Sequence, residues 1–251
     1  MVEIRQINTR DIILGFQIDI NEKIKRFWIG QSYPGSDQPC MSYEESYLEI
    51  IGAVPVLITA PHAVPHDRGG EKLKEQDDNT DLVVMETCKN LNCHGLIPLK
   101  PIADPNKLCE PTRKSNSPTW KDTNGVPFYS EAERLIKEKS IQFLLDIHGI
   151  TDDYEDSVVI GTSGVKTKEV WAKGLKEYLD QNGVKTVINS TRALNGERHY
   201  FSGGKFVRNI SIPGLQLEIK RAYRTCEHVQ KLSRFLADFL GSKFERTKSN
   251  R

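Results

Sequence analysis

The stretch Ile141–Gly149 reads IQFLLDIHG, with apolar residues on both faces of a short extended segment and two polar side chains near its end. Strands buried on both faces of a parallel sheet have this composition, whereas half-exposed strands alternate apolar and polar residues. Similar short, β-rich apolar runs recur along the chain. These runs predict strands at Val54–Ala60, Leu96–Ile102, Ile141–Ile147, Val158–Gly161, Val184–Asn189 and Leu215–Ile219.

Helical patterns alternate with these runs. Apolar residues recur at helical spacing in two segments, and Ser130 with Glu133 forms a capping-box pattern that predicts a helix start. The two periodic sets are Trp171, Leu175, Tyr178 and Leu179, and Val229, Leu232, Leu236 and Phe239. Strands that alternate with helices predict an α/β sandwich around a mixed, mostly parallel sheet.

The composition favours one domain over residues 1–251 of a cytoplasmic protein. The chain has 37% hydrophobic and 27% charged residues, and it lacks the ~18-residue apolar run of a membrane-spanning helix. A formal net charge of +1 argues against nucleic acid or an anionic membrane as partner. The five cysteines form no CxxC pair, which predicts reduced thiols.

Two segments predict long surface loops. Gly30–Tyr47 and Asp104–Phe128 are rich in Pro, Gly, Ser, Asn and Asp. Long loops on an α/β scaffold often contribute to binding sites.

Polar residues stand at or near the ends of three predicted strands. His62 follows the Val54–Ala60 strand, Asp146 and His148 share one face of the next by the two-residue period, and Glu218 lies among Leu and Ile in the last. Ligands of open α/β sheets bind beyond the carboxyl ends of the strands. Histidines and carboxylates gathered there would suit a catalytic zinc site, with an additional carboxylate as base for a water molecule.

Each residue taken singly also has an ordinary structural interpretation. His62 could bond a loop carbonyl, Asp146 could cap a turn, and Glu218 could pair with Lys220 or Arg221. Other catalytic motifs fail: Ser202–Phe206 lacks the spacing of a phosphate loop, Gly161–Gly164 does not read GxSxG, and no histidine is followed by Glu, which excludes HExxH.

Several ordered motifs over residues 54–222 resemble the N-formylglutamate amidohydrolase family. They are Pro61–Val64 with a following Arg, Lys74–Thr80, Asp104–Asn106, Asp146–Gly149, Phe201–Gly204 and Gln216–Ile219. That family belongs with the zinc carboxypeptidases, aspartoacylase and succinylglutamate desuccinylase. The resemblance implies a phosphorylase/hydrolase-like three-layer α/β/α fold and a zinc-dependent hydrolase that cleaves a C–N bond of a small N-acyl amino acid or peptide-like substrate.

The resemblance also implies roles for individual residues. His62 and His148 would bind Zn²⁺, and Glu218 would be the general base. The carboxypeptidase-like acidic ligand would fall three positions after His62, but Pro65 stands there, so the third ligand must come from further along. Asp77 is the choice, with Asp78 and His66 as alternatives.

Further residues complete the expected site. Asp146 would orient a ligand, and Arg68 would stabilise the oxyanion or hold a substrate carboxylate. Arg113, Arg221 and Arg224 flank other candidates and could also meet such a carboxylate. The expected substrate-binding residues are Asn106, Gly203 and Arg208.

Three functional classes remain open at this point. The first is the zinc-dependent amidohydrolase, and the second is a non-catalytic metal- or ligand-binding protein on the same fold. The third is a structural α/β protein, in which the candidate side chains would be scattered more than ~10 Å apart.

Overall fold

The computed structural model describes residues 3–7, 47–67, 73–100, 102–103, 127–162, 166–189 and 212–245. These residues form ten strands, which are β1 (Glu3–Ile7), β2 (Tyr47–Ile51), β3 (Val54–Thr59), β4 (His66–Asp67), β5 (Cys93–Pro98), β6 (Ile102–Ala103), β7 (Phe143–Ile150), β8 (Val158–Gly161), β9 (Thr186–Ile188) and β10 (Gly214–Lys220). Four α-helices accompany them: α1 (Thr80–Leu91), α2 (Pro127–Glu138), α3 (Lys166–Gln181) and α4 (Cys226–Glu245). A 3₁₀ turn, Arg221–Arg224, joins β10 to α4.

Eight of the strands form one mixed sheet in the order β1-β2-β5-β3-β7-β10-β8-β9. The central strands β5, β3, β7 and β10 are parallel, while β1, β2 and β8 pair antiparallel with their inner neighbours. Strands β4 and β6 form a separate parallel pair. The α/β fold class with a mixed sheet and a parallel centre is therefore confirmed.

Helices cover both faces of the sheet. Helices α1, α3 and α4 share a hydrophobic core with alternate residues of the central strands, among them Val56, Leu145 and Leu217. Helix α2 packs on the opposite face, where Phe128 contacts Tyr47 and Arg134 pairs with Glu49 of β2. The result is the expected three-layer α/β/α arrangement.

Several predicted boundaries were wrong. The run Leu96–Ile102 divides into β5, which begins at Cys93, and the short β6, while the strand predicted at Val184–Asn189 is limited to Thr186–Ile188. Ser130 is not a helix N-cap, because α2 begins at Pro127, whose fixed φ suits the first helical turn. Helix α1 and strands β1, β2 and β4 were not predicted. The predicted loops Gly30–Tyr47 and Asp104–Phe128 lie outside the described residues except at their ends. There the prediction was wrong, because Tyr47 begins β2 and Pro127 and Phe128 begin α2.

The periodicity of the other helices was read correctly. Helices α3 and α4 contain the two apolar sets that predicted them. In the part of the chain that the structure describes, no helix has the length and apolar character needed to cross a membrane.

Candidate metal centre

Polar side chains occupy one face of three neighbouring strands, β3, β7 and β10, opposite the main core. The register places Thr59 of β3 and Gln216 of β10 beside Asp146 of β7, and it places Glu218 of β10 beside His148. All five side chains are 5% exposed or less. Burial of so many polar groups is costly unless they have partners, so these five side chains are expected to bond to one another or to an ion.

Three ligand-type atoms converge above this row. The Nδ1 atoms of His62 and His148 lie 3.0 Å apart, and Oδ2 of Asp77 lies 3.4 Å from the first and 4.0 Å from the second. A tetrahedral zinc ion with bonds of ~2.0–2.1 Å would hold its ligand atoms ~3.3 Å apart. Two imidazole nitrogens and one carboxylate oxygen at this spacing therefore fit a zinc ion with a fourth position open.

The scattered arrangement expected of a purely structural α/β protein is contradicted by these distances. Within the described residues, the side chains of His62, Asp77 and His148 form a group whose ligand atoms all lie within 4.8 Å of one another. Segments far apart in the sequence therefore meet at one point.

Asp77 reaches the cluster because its loop is fastened to its neighbours. The Asp77 backbone N–H donates to the carbonyl of His62 at 2.8 Å, and Gly149 at the end of β7 donates its N–H to Asp77 Oδ2 at 3.0 Å. The hydroxyl of Thr80 donates to the Asp77 carbonyl at 2.8 Å, which joins the loop to the start of α1. Two of these hydrogen bonds hold the backbone of Asp77, and the third holds its carboxylate.

Asp146 orients His148. The Nε2 of His148 lies 2.7 Å from Asp146 Oδ2, and the Thr59 hydroxyl donates to Asp146 Oδ1 at 2.7 Å. Because an ionised carboxylate accepts and cannot donate, the proton of this pair belongs on His148 Nε2, which leaves Nδ1 to face the cluster. A carboxylate behind a histidine is the usual support of a metal-binding imidazole.

The two alternative third ligands have other contacts. Asp78 accepts hydrogen bonds from Gln76 at 3.3 Å and from the exposed Arg221 at 2.9 Å. His66 stacks face to face on His62, with ring centroids 3.9 Å apart, and its Nδ1 lies 3.3 Å from the carbonyl of Val64. The geometry therefore favours Asp77.

The electrostatics of Asp77 suit a ligand. Burial raises the pKa of this carboxyl, but the hydrogen bond from His62, the electrostatic attraction of the His62 and His148 rings and the Gly149 N–H together outweigh burial and lower the pKa below its ordinary value. Asp77 is therefore ionised at neutral pH, as a metal ligand must be.

Glu218 stands beside the cluster as an additional carboxylate. Gln216 donates from Nε2 to Glu218 Oε1. The two cations that could have paired with Glu218 bond elsewhere: Lys220 to the carbonyl of Tyr154, and Arg221 to the carboxylate of Asp78. Burial raises the pKa of Glu218, and the negative charge of Asp77 raises it further. His148, His62 and the hydrogen bond from Gln216 lower the pKa, but burial dominates, so the pKa lies above its ordinary value. The ordinary ion-pair interpretation of Glu218 is thus not what the structure contains.

Several predicted site residues cannot be placed. Arg68, Asn106, Gly203 and Arg208, like Arg113, lie outside the described residues, so their roles stay predictions. Arg224 is described, but it is buried and bonds to backbone carbonyls. Its donors are therefore used within the protein, whereas an arginine that binds a substrate carboxylate needs donors that face the substrate site.

Some supporting residues were not recognised from the sequence. Thr59 contacts Asp146, Gln216 contacts Glu218, and the backbone N–H of Gly149 contacts Asp77. The two-residue period could have revealed Thr59 and Gln216, since each is a polar residue in an otherwise apolar strand. The role of the Gly149 N–H depends on long-range contact and has no local signal.

Comparisons with known proteins bear on the fold. No protein-family model matches the chain, and no curated protein matches it significantly. A crystal structure of a gene product from Agrobacterium tumefaciens superposes with a TM-score of 0.54 at 12% identity, covering 78% of this chain and 93% of that one. This likeness supports a shared fold and nothing finer.

Two further structural matches have lower scores. A bacteriophage poly-gamma-glutamate hydrolase has a TM-score of 0.46 at 16% identity, covering 82% of this chain and 91% of its own. The succinylglutamate desuccinylase from Chromobacterium violaceum has a TM-score of 0.46 at 14% identity, covering 80% of this chain and 71% of that one. At these scores neither match carries information about the chemistry of this chain.

Proposed function

We propose that the protein is a zinc-dependent amidohydrolase that cleaves the C–N bond of a small N-acyl amino acid or peptide-like substrate. The single observation that carries the proposal is the meeting of His62, Asp77 and His148 within ligand distance, with the carboxylate of Glu218 on the neighbouring strand. The choice of an amide bond comes from the resemblance of the motifs to the N-formylglutamate amidohydrolases.

In this proposal the three clustered side chains hold the metal through His62 Nδ1, His148 Nδ1 and a carboxylate oxygen of Asp77. When bound, zinc would act as a Lewis acid that lowers the pKa of a water molecule to about 7. Asp146 keeps the imidazole of His148 in the required tautomer, and Thr59 holds Asp146 in turn.

Glu218 takes the role of general base. It accepts a proton from the attacking water and returns it to the leaving amine. A raised pKa serves this role, because a carboxylate of higher basicity accepts the proton more readily at neutral pH. Gln216 fixes one oxygen of Glu218, which leaves the other available for the proton.

The arginine and loop residues would complete the substrate site. Arg68 is proposed to stabilise the oxyanion or to bind a substrate carboxylate in a bidentate pair. Asn106, Gly203 and Arg208 are proposed to contact the substrate.

The variant Glu218→Gln tests this proposal. Glutamine preserves the volume of the side chain, so the variant should keep one zinc per chain while hydrolysis of N-acyl amino acids and short acidic peptides falls by ~10²–10⁴-fold. Zinc content and hydrolysis rate are measured together on each protein.

Other outcomes contradict parts of the proposal. Loss of zinc in Glu218→Gln would make Glu218 a ligand, and unchanged hydrolysis would remove it from the mechanism. Zinc binding without hydrolysis by the unmodified protein across a broad panel would favour the second candidate, a non-catalytic metal-binding protein, because such a protein needs the three ligands but not the base.

A further inference from the structure

Arg224 lies close to the cluster but has not been given a role in it. The residue ends the 3₁₀ turn after β10, and it is 5% exposed. A buried guanidinium carries a high desolvation cost, so its donors need good acceptors.

The acceptors are backbone carbonyls of three different segments. Arg224 donates from Nε to Ile219 of β10 at 3.1 Å, from Nη2 to Ile150 of β7 at 3.3 Å, and from Nη1 to the carbonyl of Asp78. The first two acceptors lie at the carboxyl ends of the strands that carry Glu218 and His148. The third lies in the loop that carries Asp77.

A reciprocal hydrogen bond strengthens this connection. Asn79, which has a left-handed backbone with φ of 61°, donates from its side-chain amide to the carbonyl of Arg224 at 2.6 Å. Two consecutive residues of this loop are therefore bonded to Arg224: Asp78 through its backbone carbonyl, and Asn79 through its side chain.

The strand end is shaped to admit the guanidinium. A Cβ atom at Gly149 would lie 2.6 Å from Cζ of Arg224, a distance that real Cβ atoms do not show. The same Gly149 donates its N–H to the Asp77 carboxylate. Gly149 thus leaves room for the Arg224 guanidinium, and any side chain at this position would displace it.

We infer that Arg224 is a positioning residue for the metal centre, which fastens the Asp77 loop to the ends of β7 and β10 so that the Asp77 carboxylate meets His62 and His148. This inference rests on the proposed function, since it gives Asp77 the role of ligand. Arg224 acts through the backbone and touches neither substrate nor metal in this account.

The test is the zinc dissociation constant of the whole 251-residue chain, measured by competition with a chromophoric chelator after metal removal. Arg224→Lys cannot span the three carbonyls with one ammonium group. Asn79→Gly removes the side-chain bond but tolerates the positive φ. Both variants should weaken zinc binding by roughly 10-fold or more, as loss of support around a ligand does.

Arg134→Lys is the matched control. Arg134 also bonds several acceptors, Glu49, Glu131 and Glu138, but it lies on α2. This variant should lower the melting temperature of the metal-free protein while its zinc dissociation constant stays within about twofold of the unmodified protein.

The outcomes separate the inference from the proposed function. Unmodified protein that binds no zinc would overturn the proposed function and this inference with it. Strong zinc binding by the unmodified protein, with unchanged affinity in Arg224→Lys and Asn79→Gly, would overturn the inference alone. An equal loss in Arg134→Lys would also overturn it, because the effect would then follow general stability. If Arg224→Lys does not fold, Asn79→Gly decides the question.

Discussion

At the scale of single residues, the site depends on which of two adjacent carboxylates points inward. Asp77 faces the two imidazoles, whereas Asp78 contacts Gln76 and Arg221. Loops can place neighbouring side chains in opposite directions, so the sequence Gln76–Asn79 leaves the choice open. The backbone bonds of Asp77 to His62 and Thr80 decide it.

This difference predicts opposite results for two nearly identical substitutions. Asp77→Asn removes the anionic oxygen between the histidines and should weaken zinc binding by at least about 100-fold, since it removes a ligand and not merely its support. Asp78→Asn should leave the zinc dissociation constant within about threefold, because its side chain contacts a partly exposed amide and an exposed arginine.

Zinc titration of the two variants checks the prediction. Circular dichroism of the metal-free proteins serves as the folding control. Tight zinc binding by Asp77→Asn together with weak binding by Asp78→Asn would reverse the assignment of the third ligand.

At the scale of elements, the strands at the centre of the sheet were easier to predict than β1 and β2 on one side of it. The central strands are apolar on both faces, a signal that survives without knowledge of their neighbours. Helix α1 was missed because the apolar residues of its segment, TDLVVMETCKNL, are as typical of a buried strand as of one face of a helix. Strand β2 was missed because its residues fell at the edge of a segment rich in turn residues.

The start of α2 gives a test of local structure. Ser130 is exposed and lies inside the helix that begins at Pro127. Since alanine has the higher helix propensity, Ser130→Ala should leave the free energy of unfolding unchanged or raise it by up to ~0.5 kcal/mol.

Urea denaturation measures this difference. A loss of ~1 kcal/mol is the value expected for removal of an N-cap hydroxyl, and it would mean that the helix begins at Ser130 after all. Thr225→Ala, which changes a residue directly before α4, provides a comparison at another helix start.

The candidate site was predictable in its members more than in its geometry. His62, Asp146, His148 and Glu218 were identified because polar residues near strand ends of an α/β sheet tend to share one edge. Long-range packing determines the remaining contacts. These are the bond from Gly149 to Asp77, the stacking of His66 on His62, and the bonds of Arg224. No local pattern specifies them.

At the scale of the whole molecule, the stability of the fold should depend on pH through a half-buried acid at the start of α1. Asp81 lies in the first turn of α1, four residues after Asp77. Burial raises the pKa of Asp81 from 3.8 to about 6, and the charge of Asp78 adds to the effect, although the backbone N–H groups of Leu82 and Asp81 oppose it.

The sign of the dependence follows from this direction. The folded state binds the proton of Asp81 more tightly than the unfolded state, so the contribution is fully present below about pH 3.8 and is lost as the pH rises through about 6. Asp81→Asn removes the titration. Relative to this variant, the unmodified protein should lose roughly 1–3 kcal/mol of unfolding free energy between pH 4 and pH 7.

Denaturation of metal-free protein at several pH values measures the effect. Glu227→Gln is the matched control, because Glu227 is an exposed acid in the first turn of another helix, α4. Parallel pH profiles of the unmodified protein and Asp81→Asn would contradict the assigned role of Asp81.

The proposed zinc site joins three side chains from distant parts of the sequence, His62, Asp77 and His148. Anomalous X-ray diffraction at the zinc edge, from crystals of the zinc-loaded protein, tests it most directly. We expect one strong peak per chain at this cluster, ~2.0–2.2 Å from the Nδ1 atoms of His62 and His148 and from a carboxylate oxygen of Asp77. Zinc bound elsewhere in the chain, with no peak between these residues, would contradict it.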